Sequence, residues 1–210
     1  MRIRLAAAAV FLLSLFALPA LARGLYFAEE MRGFGEWNRE IRAIHFDLDI
    51  TIRDIDAWRA NPNHAATVSG RLQLDQSTPV AITGQLNILA PAPGADGRVL
   101  VYRVAGNGLR FVGAKLVRND GGFDLIDDVT TLHGVLLAPG APEPTIADLV
   151  YGAKWTAEVQ FEWWRPSIVL AFIDSFATID TPWYERWWVK VLFVETTFGA
   201  VASEFFLGLL

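Results

Sequence analysis

The stretch AIHFDLDITIR, residues 43–53, alternates apolar and polar side chains without interruption. Successive side chains of a β-strand point to opposite faces, so this pattern predicts a strand with one buried face and one solvated face. The polar face carries His45, Asp47 and Asp49 among others. The apolar face carries only large side chains, namely Ile44, Phe46, Leu48, Ile50 and Ile52.

Further stretches of the same kind follow at short spacing, in residues 66–75, 79–89, 99–104, 109–118, 130–137 and 154–164. Gly106-Asn107-Gly108 between two of them predicts a tight hairpin, because such turns require positive φ angles. Strands do not alternate with helices, which argues against a parallel sheet. The pattern predicts one mainly β domain over residues 23–210. Its fold is an antiparallel barrel, of which a calycin-like barrel is one form, or a sandwich.

The end of the chain changes to a helical period and predicts an amphipathic helix over about residues 182–208. Thr181 and Pro182 are a typical cap and first-turn pair. The expected apolar stripe consists of Trp187, Val191, Val194, Phe198, Val201, Phe205 and Leu209. Charged residues such as Lys190 and Glu195 disfavour a lipid-spanning helix. We expect the helix to dock on the barrel, with plugging of its mouth or contact with a membrane surface as alternatives.

The first 22 residues resemble a secretory signal, with Arg2 and Arg4 followed by an apolar core and small residues at the end. We expect cleavage after Ala22 and a periplasmic or extracellular location, with an uncleaved anchor as the alternative. The chain contains no cysteine, which excludes disulfides and thiolate metal sites. The net charge is −5, and the sequence contains no block of basic residues. Both observations argue against nucleic acid as a partner.

Familiar catalytic patterns are missing from the sequence. It has no G-x-G-x-x-G and no G-x-S-x-G. His45, His64 and His133 do not follow a metal-ligand spacing, and we expect His64 to be a turn residue. The acidic stretch GGFDLIDDVTTLH, residues 121–133, fails the EF-hand template and is interpreted as a hydrogen-bonded loop that leads into a strand. We therefore expect no metal, no cofactor and no catalytic residue.

Four stretches occur in an order that resembles a known family: LYFAEEMRGF at 25–34, DIDAWRANPNHAATVSGRL at 54–72, GQLNIL at 84–89 and GAKLVRNDGGFDLIDDVTTLHGVLL at 113–137. They resemble the accessory domain of bacterial cholesterol-oxidase-like flavoproteins, which also occurs beside lipase-like α/β-hydrolases. Ile126 and Val129 depart from that family's pattern, and a flavin domain is missing. The resemblance implies an accessory β-rich module and marks Glu29, Met31, Arg32, Gly33, His64, Gly70, Lys115, Asp124, Asp128, Thr130 and Thr131.

Lys115 is the residue of greatest interest, because it shares a strand face with Phe111. If that face is the core, the lysine needs a carboxylate, for which Asp124 or Asp128 is the expected partner. The alternative is an anchor for the headgroup of an apolar ligand. Six of the eight tryptophans lie in the last 56 residues. The candidate lining of a ligand cavity is Lys115, Phe111, Trp155, Phe161 and Trp163.

The sequence thus predicts an exported, non-catalytic module that binds a lipid or sterol-like molecule inside a barrel. The alternative is a module without a ligand that docks on a lipid- or sterol-active enzyme or on a membrane surface. That alternative requires a solid core and an exposed apolar patch around WYERWW (183–188) and FFLGLL (205–210). A third hypothesis, a barrel isomerase or cyclase, requires a polar pair such as Lys115 and Asp128 lining a cavity.

Overall fold

The computed structural model describes residues 23–94, 97–118 and 130–207. Nine strands account for most of it: β1 Gly24–Trp37, β2 Glu40–Ile52, β3 Ala65–Leu74, β4 Val80–Pro91, β5 Arg98–Gly106, β6 Leu109–Val117, β7 Thr131–Leu137, β8 Ala157–Gln160 and β9 Ala177–Ile179. The helices are α1 Ile55–Ala60, α2 Ile146–Val150, α3 Pro166–Ser175 and α4 Arg186–Leu207.

Strands β1 to β8 form a closed antiparallel barrel, in which each strand pairs with the next and β8 pairs with β1. This confirms the predicted mainly β, antiparallel barrel and rules out the sandwich. Strand β1 closes it, since Leu25 pairs with Ile52 of β2 while Gly35 pairs with Ala157 of β8. Strand β9 adds to the start of β1 through Gly24 and Ile179.

The alternation seen in the sequence sets which side chains fill the barrel. In β2 the five apolar residues from Ile44 to Ile52 are all buried, and the matching face of β3 and β4 contributes Val68, Leu72 and Ile82. A second, smaller cluster lies on the outside, where α2 places Leu149 against Val112 and other residues of β4 to β7. The barrel therefore has one main core inside and one local core beneath α2.

The predicted hairpin at residues 106–108 and the predicted turn at His64 are also confirmed. Asn107 and Gly108 adopt φ angles of 46° and 76° between β5 and β6, as a primed hairpin turn requires. Asp54 caps α1 by accepting hydrogen bonds from the backbone N–H groups of Asp56 and Ala57. His64 lies in the turn before β3 with a φ of 43°.

Helices α3 and α4 cover the barrel end where β1 begins. Phe27 of β1 stacks on Phe176 at 5.0 Å and lies 5.6 Å from Phe193 of α4, measured between ring centroids. Phe172 of α3 approaches Phe27 edge-on at 6.0 Å. These rings join both helices to the main core. Within the described residues, no helix combines the length and hydropathy needed to cross a membrane.

Three sequence predictions need correction in this region. The strand predicted over residues 154–164 is only Ala157–Gln160, and the chain then turns and forms α3 and β9, which alternation did not indicate. The C-terminal helix begins at Arg186 rather than at Pro182, and Thr181 donates to the carbonyl of Ile179. Among its described side chains, Val189, Leu192, Phe193 and Thr197 are buried, whereas Trp187 and Val194 of the predicted stripe are exposed. The stripe residues Phe198, Val201, Phe205 and Leu209 lie outside the described side chains, so their part of the prediction stays open.

Candidate functional site

A buried polar cluster lies inside the barrel and joins three strands. The Nζ of Lys115 on β6 lies 2.7 Å from Oε1 of Glu29 on β1. The hydroxyl of Tyr102 on β5 donates to the other oxygen, Oε2, at 2.8 Å. Lys115 also lies over the Tyr102 ring, with Nζ 5.2 Å from the centroid. Lys115 is 1% exposed and Glu29 is 8% exposed, so solvent barely reaches this cluster.

The cluster is neutralised internally. One lysine faces one carboxylate, and the carboxylate accepts from both a charged and a neutral donor. Burial raises the pKa of the Tyr102 phenol well above its usual value of 10.0, and the charge of Glu29 and the hydrogen bond to it act in the same direction. Tyr102 therefore keeps its proton at neutral pH and serves as a donor rather than as a base.

Lys115 thus faces the core, and it finds its carboxylate in Glu29. The expected partners Asp124 and Asp128 lie outside the described residues, so a tie to either stays a prediction. Sequence reasoning missed Glu29 as the partner, although a signal was present. In LYFAEEMRGF the residues Leu25, Phe27, Glu29 and Met31 alternate with the others, which places a glutamate on the inward face of a strand.

The other candidate ligand-lining residues do not come together. Phe111 is buried in the barrel and lies 4.8 Å from Phe46, measured between ring centroids. Phe161 is partly buried against the main core. Trp155, however, is exposed and stacks on His133 at 4.4 Å on the outer surface, and Trp163 is exposed after β8. These five residues therefore do not line one cavity.

The interior around Phe111 is closely packed. A Cβ atom added to Gly113 would lie 2.7 Å from the Phe111 ring, and one added to Gly134 would lie 2.5 Å from it. The largest side chains with almost no exposed surface nearly all point into this interior, among them Tyr102, Phe46, Phe111, Lys115, Met31 and Ile44. Side chains of the chain itself thus occupy the middle of the described barrel.

The residues marked by the family resemblance have several separate roles. Met31 is fully buried, and Thr130 and Thr131 lie at the start of β7. Arg32 lies on the outer face and pairs with Glu30. The Nδ1 of His64 lies 3.0 Å from the carbonyl of Ile88, and its ring lies against Trp58. Glu29 and Lys115 of this group form an ion pair.

Two of these positions are glycines at close strand crossings. A Cβ atom on Gly33 would lie 1.9 Å from the carbonyl oxygen of Glu158, where β1 meets β8. A Cβ atom on Gly70, which has a φ of 155°, would lie 2.0 Å from the carbonyl oxygen of Asp47. Both glycines allow neighbouring backbones to approach within the closed barrel.

Large apolar side chains are exposed at the barrel end that α3 and α4 cover. Trp183 is 80% exposed and Trp187 is 76% exposed, and the first lies in ring contact with Tyr184. We call this surface the aromatic end; it comprises Leu170, Ile173, Trp183, Tyr184, Trp187, Trp188 and Val194. Trp164 is also exposed, but it lies beside Phe34 and Ala43, towards the β1–β2 hairpin. Such a concentration of apolar surface is typical of an interaction site.

Comparisons with models of known protein families, with curated proteins and with solved structures found no match for this chain.

Proposed function

We propose that the protein is an exported, non-catalytic module that docks on a membrane surface through its aromatic end. The observation that carries this proposal is the exposure of four aromatic side chains within six residues: Trp183, Tyr184, Trp187 and Trp188. The described interior of the barrel, by contrast, holds large buried side chains of its own strands. Tryptophan and tyrosine concentrate at membrane–water interfaces because each combines an apolar ring with a polar group.

The charge of the aromatic end favours insertion of apolar side chains over electrostatic attraction. Between residues 163 and 195 the chain carries three basic residues, Arg165, Arg186 and Lys190, against four acidic ones, Asp174, Asp180, Glu185 and Glu195. A nearly balanced surface gains little from anionic headgroups. We therefore expect binding to zwitterionic lipid, with weak dependence on salt.

The position of Arg23 also supports an orientation in which the aromatic end faces the membrane. Arg23, immediately before β1, pairs with Glu185, immediately before α4, at 3.1 Å. Arg23, the first described residue, thus lies at the aromatic end. An N-terminal anchor that was kept instead of being cleaved after Ala22 would therefore hold this end next to the bilayer.

Two other functions have less support. A lipid or sterol inside the barrel needs a cavity, and the packing of Phe111 against Gly113 and Gly134 leaves little room there. A barrel isomerase or cyclase needs polar groups that reach a substrate, whereas Lys115 and Glu29 are enclosed and bonded to each other. Both hypotheses stay predictions, as does docking on a lipid-active enzyme.

A vesicle flotation assay tests the proposal. The purified protein is mixed with phosphatidylcholine vesicles, and the fraction that floats with lipid is measured with and without high salt. Burial of one large apolar side chain contributes about 1.5–3 kcal/mol. The double substitution Trp183→Ser/Trp187→Ser should therefore lower the partition coefficient at least about tenfold.

The chain offers a matched control at the opposite end of the barrel. Phe34 and Ile41 are 64% and 70% exposed on the β1–β2 hairpin, and Phe34→Ser/Ile41→Ser removes two comparable apolar side chains. This variant should float like the wild type. Absence of vesicle binding by the wild type, or equal losses in the two double variants, would refute docking by the aromatic end and direct attention to a protein partner.

A further inference from the structure

We infer that Glu30, His45 and Asp47 form a binding site for a divalent transition-metal ion, with zinc as the best match, on the outer face of strands β1 and β2. The three side chains each offer one ligand atom, and these atoms lie within 4.8 Å of one another. All three are half-buried, which leaves the site open to solvent on one side. The inference is independent of membrane docking.

The strand register creates a need for positive charge at this place. Glu30 of β1 pairs directly with Asp47 of β2, so two carboxylates stand opposite each other on one face. Like charges in such a position destabilise a sheet unless a cation lies between them. His45 lies two residues before Asp47 and therefore on the same face, diagonal to Glu30.

The two distances from His45 are close to those of a zinc site. The Nε2 of His45 lies 3.1 Å from Oε1 of Glu30 and 3.5 Å from Oδ1 of Asp47. A tetrahedral zinc ion with bonds of about 2.0–2.2 Å holds its ligand atoms about 3.3–3.6 Å apart. One ring nitrogen and two carboxylate oxygens would occupy three positions, and water the fourth. Imidazole with carboxylate is a ligand set that zinc accepts well.

Two arginines neutralise the carboxylates in the absence of a metal. Arg32 donates to Oε1 of Glu30 at 2.6 Å, and Arg71 donates to Oδ2 of Asp47 at 3.1 Å. Arg71 thus binds Oδ2 of Asp47, whereas His45 faces Oδ1. Arg32 has a second acceptor nearby, since its Nε lies 3.8 Å from Oε2 of Glu162. A metal ion could therefore displace Arg32 without leaving that arginine unpaired.

Titration of the purified, untagged protein with zinc in a non-chelating buffer tests this site. We expect one equivalent to bind, measured by calorimetry and by metal analysis after dialysis. His45→Ala should weaken zinc binding at least about tenfold. Even the loss of a group that only hydrogen-bonds to a metal ligand lowers metal affinity about 10–100-fold. Asp47→Asn should also weaken zinc binding, because it replaces a charged ligand by a neutral side chain of nearly the same shape. Arg32→Gln should tighten binding, because it removes the competing charge.

His133→Ala is the matched control. His133 also lies on the outer face, but its Nε2 faces a single carboxylate, that of Glu158 at 3.4 Å. This variant should bind zinc like the wild type. Failure of the wild type to bind one equivalent would overturn the inference, as would equal weakening by His45→Ala and His133→Ala, which would indicate adventitious binding to surface histidines. Circular dichroism of each variant confirms that the barrel is intact.

Discussion

Lys115 and Glu29 form an ion pair inside the barrel although they are 86 residues apart in the sequence. The pair joins β6 to β1, which do not hydrogen-bond to each other in the sheet, and so crosses the interior. Removing either charge would leave the other buried without a counter-charge, which costs about 3–5 kcal/mol. The two residues are therefore important for stability as a pair.

The first prediction concerns this pair. Lys115→Met should lower the free energy of unfolding by about 3–5 kcal/mol, because Glu29 stays buried. The double variant Glu29→Leu/Lys115→Met should recover a large part of that loss, since no charge then remains inside. Urea unfolding followed by tryptophan fluorescence measures both effects.

Arg103→Met is the control for this prediction, because Arg103 of β5, the strand beside β6, forms an exposed ion pair with Glu143. Its cost should be about 0–1 kcal/mol. A double variant as unstable as Lys115→Met would show that the interior depends on the polar contacts themselves rather than on charge balance.

The second prediction concerns pH. Burial and Glu29 raise the pKa of Tyr102 in the folded protein above its ordinary value of 10.0. Above pH 10 the unfolded chain loses this proton while the folded protein keeps it. Stability therefore falls as the pH rises, by about 1.4 kcal/mol per pH unit for one proton.

Urea unfolding between pH 9 and 11 checks the slope. Tyr26 contributes with the same sign, because its hydrogen bond to Asp49 raises its pKa to about 12. The comparison is therefore made between the wild type and Tyr102→Phe, which both keep Tyr26. The variant should lose stability less steeply above pH 10. Equal slopes would mean that Tyr102 titrates normally in the folded protein.

The third prediction concerns closure of the barrel. Gly33→Ala places a methyl group against the backbone of Glu158 and should cost about 1–3 kcal/mol through overpacking. Hydrogen exchange should locate the damage at the β1–β8 pairing. Gly199→Ala is the same substitution at an exposed site on α4, where nothing beyond the helix's own nearby backbone and the adjacent residues lies within 4 Å of the new Cβ. It should stabilise the helix slightly, and a loss there equal to that at Gly33 would contradict the explanation.

The sequence allowed the barrel to be predicted because most of its strands show alternation. In β2, β3 and residues 80–87 of β4, apolar residues point inward and most outward residues are polar, so local pattern and final burial agree. Strand β1 escaped notice because Glu29 interrupts its apolar face. The glutamate is explained only by Lys115 and Tyr102, which reach it through the fold and not through the sequence.

The C-terminal region was less predictable for a related reason. Residues 186–194 of α4 are apolar on several sides, so Val189 and Val194 are equally good candidates for the buried face. The contact between Phe27 and Phe193 places Val189 in the core and leaves Val194 exposed. Similarly, alternation continues from Ala157 to Trp163, while the chain already turns after Gln160. Local patterns do not report where a sheet ends.

The pairing of β1 with β8 also sets the order in which the chain can fold during synthesis. Among the described strands β1 leaves the ribosome first, and β2 follows at once, but the partner of Gly35 is Ala157. At about 5–20 residues per second, β1 waits roughly 6–25 seconds for the residues that close its other edge. During that interval its unpaired backbone is a template for association with other chains. We expect the nascent protein to require a holding chaperone, and products truncated before β8 to aggregate.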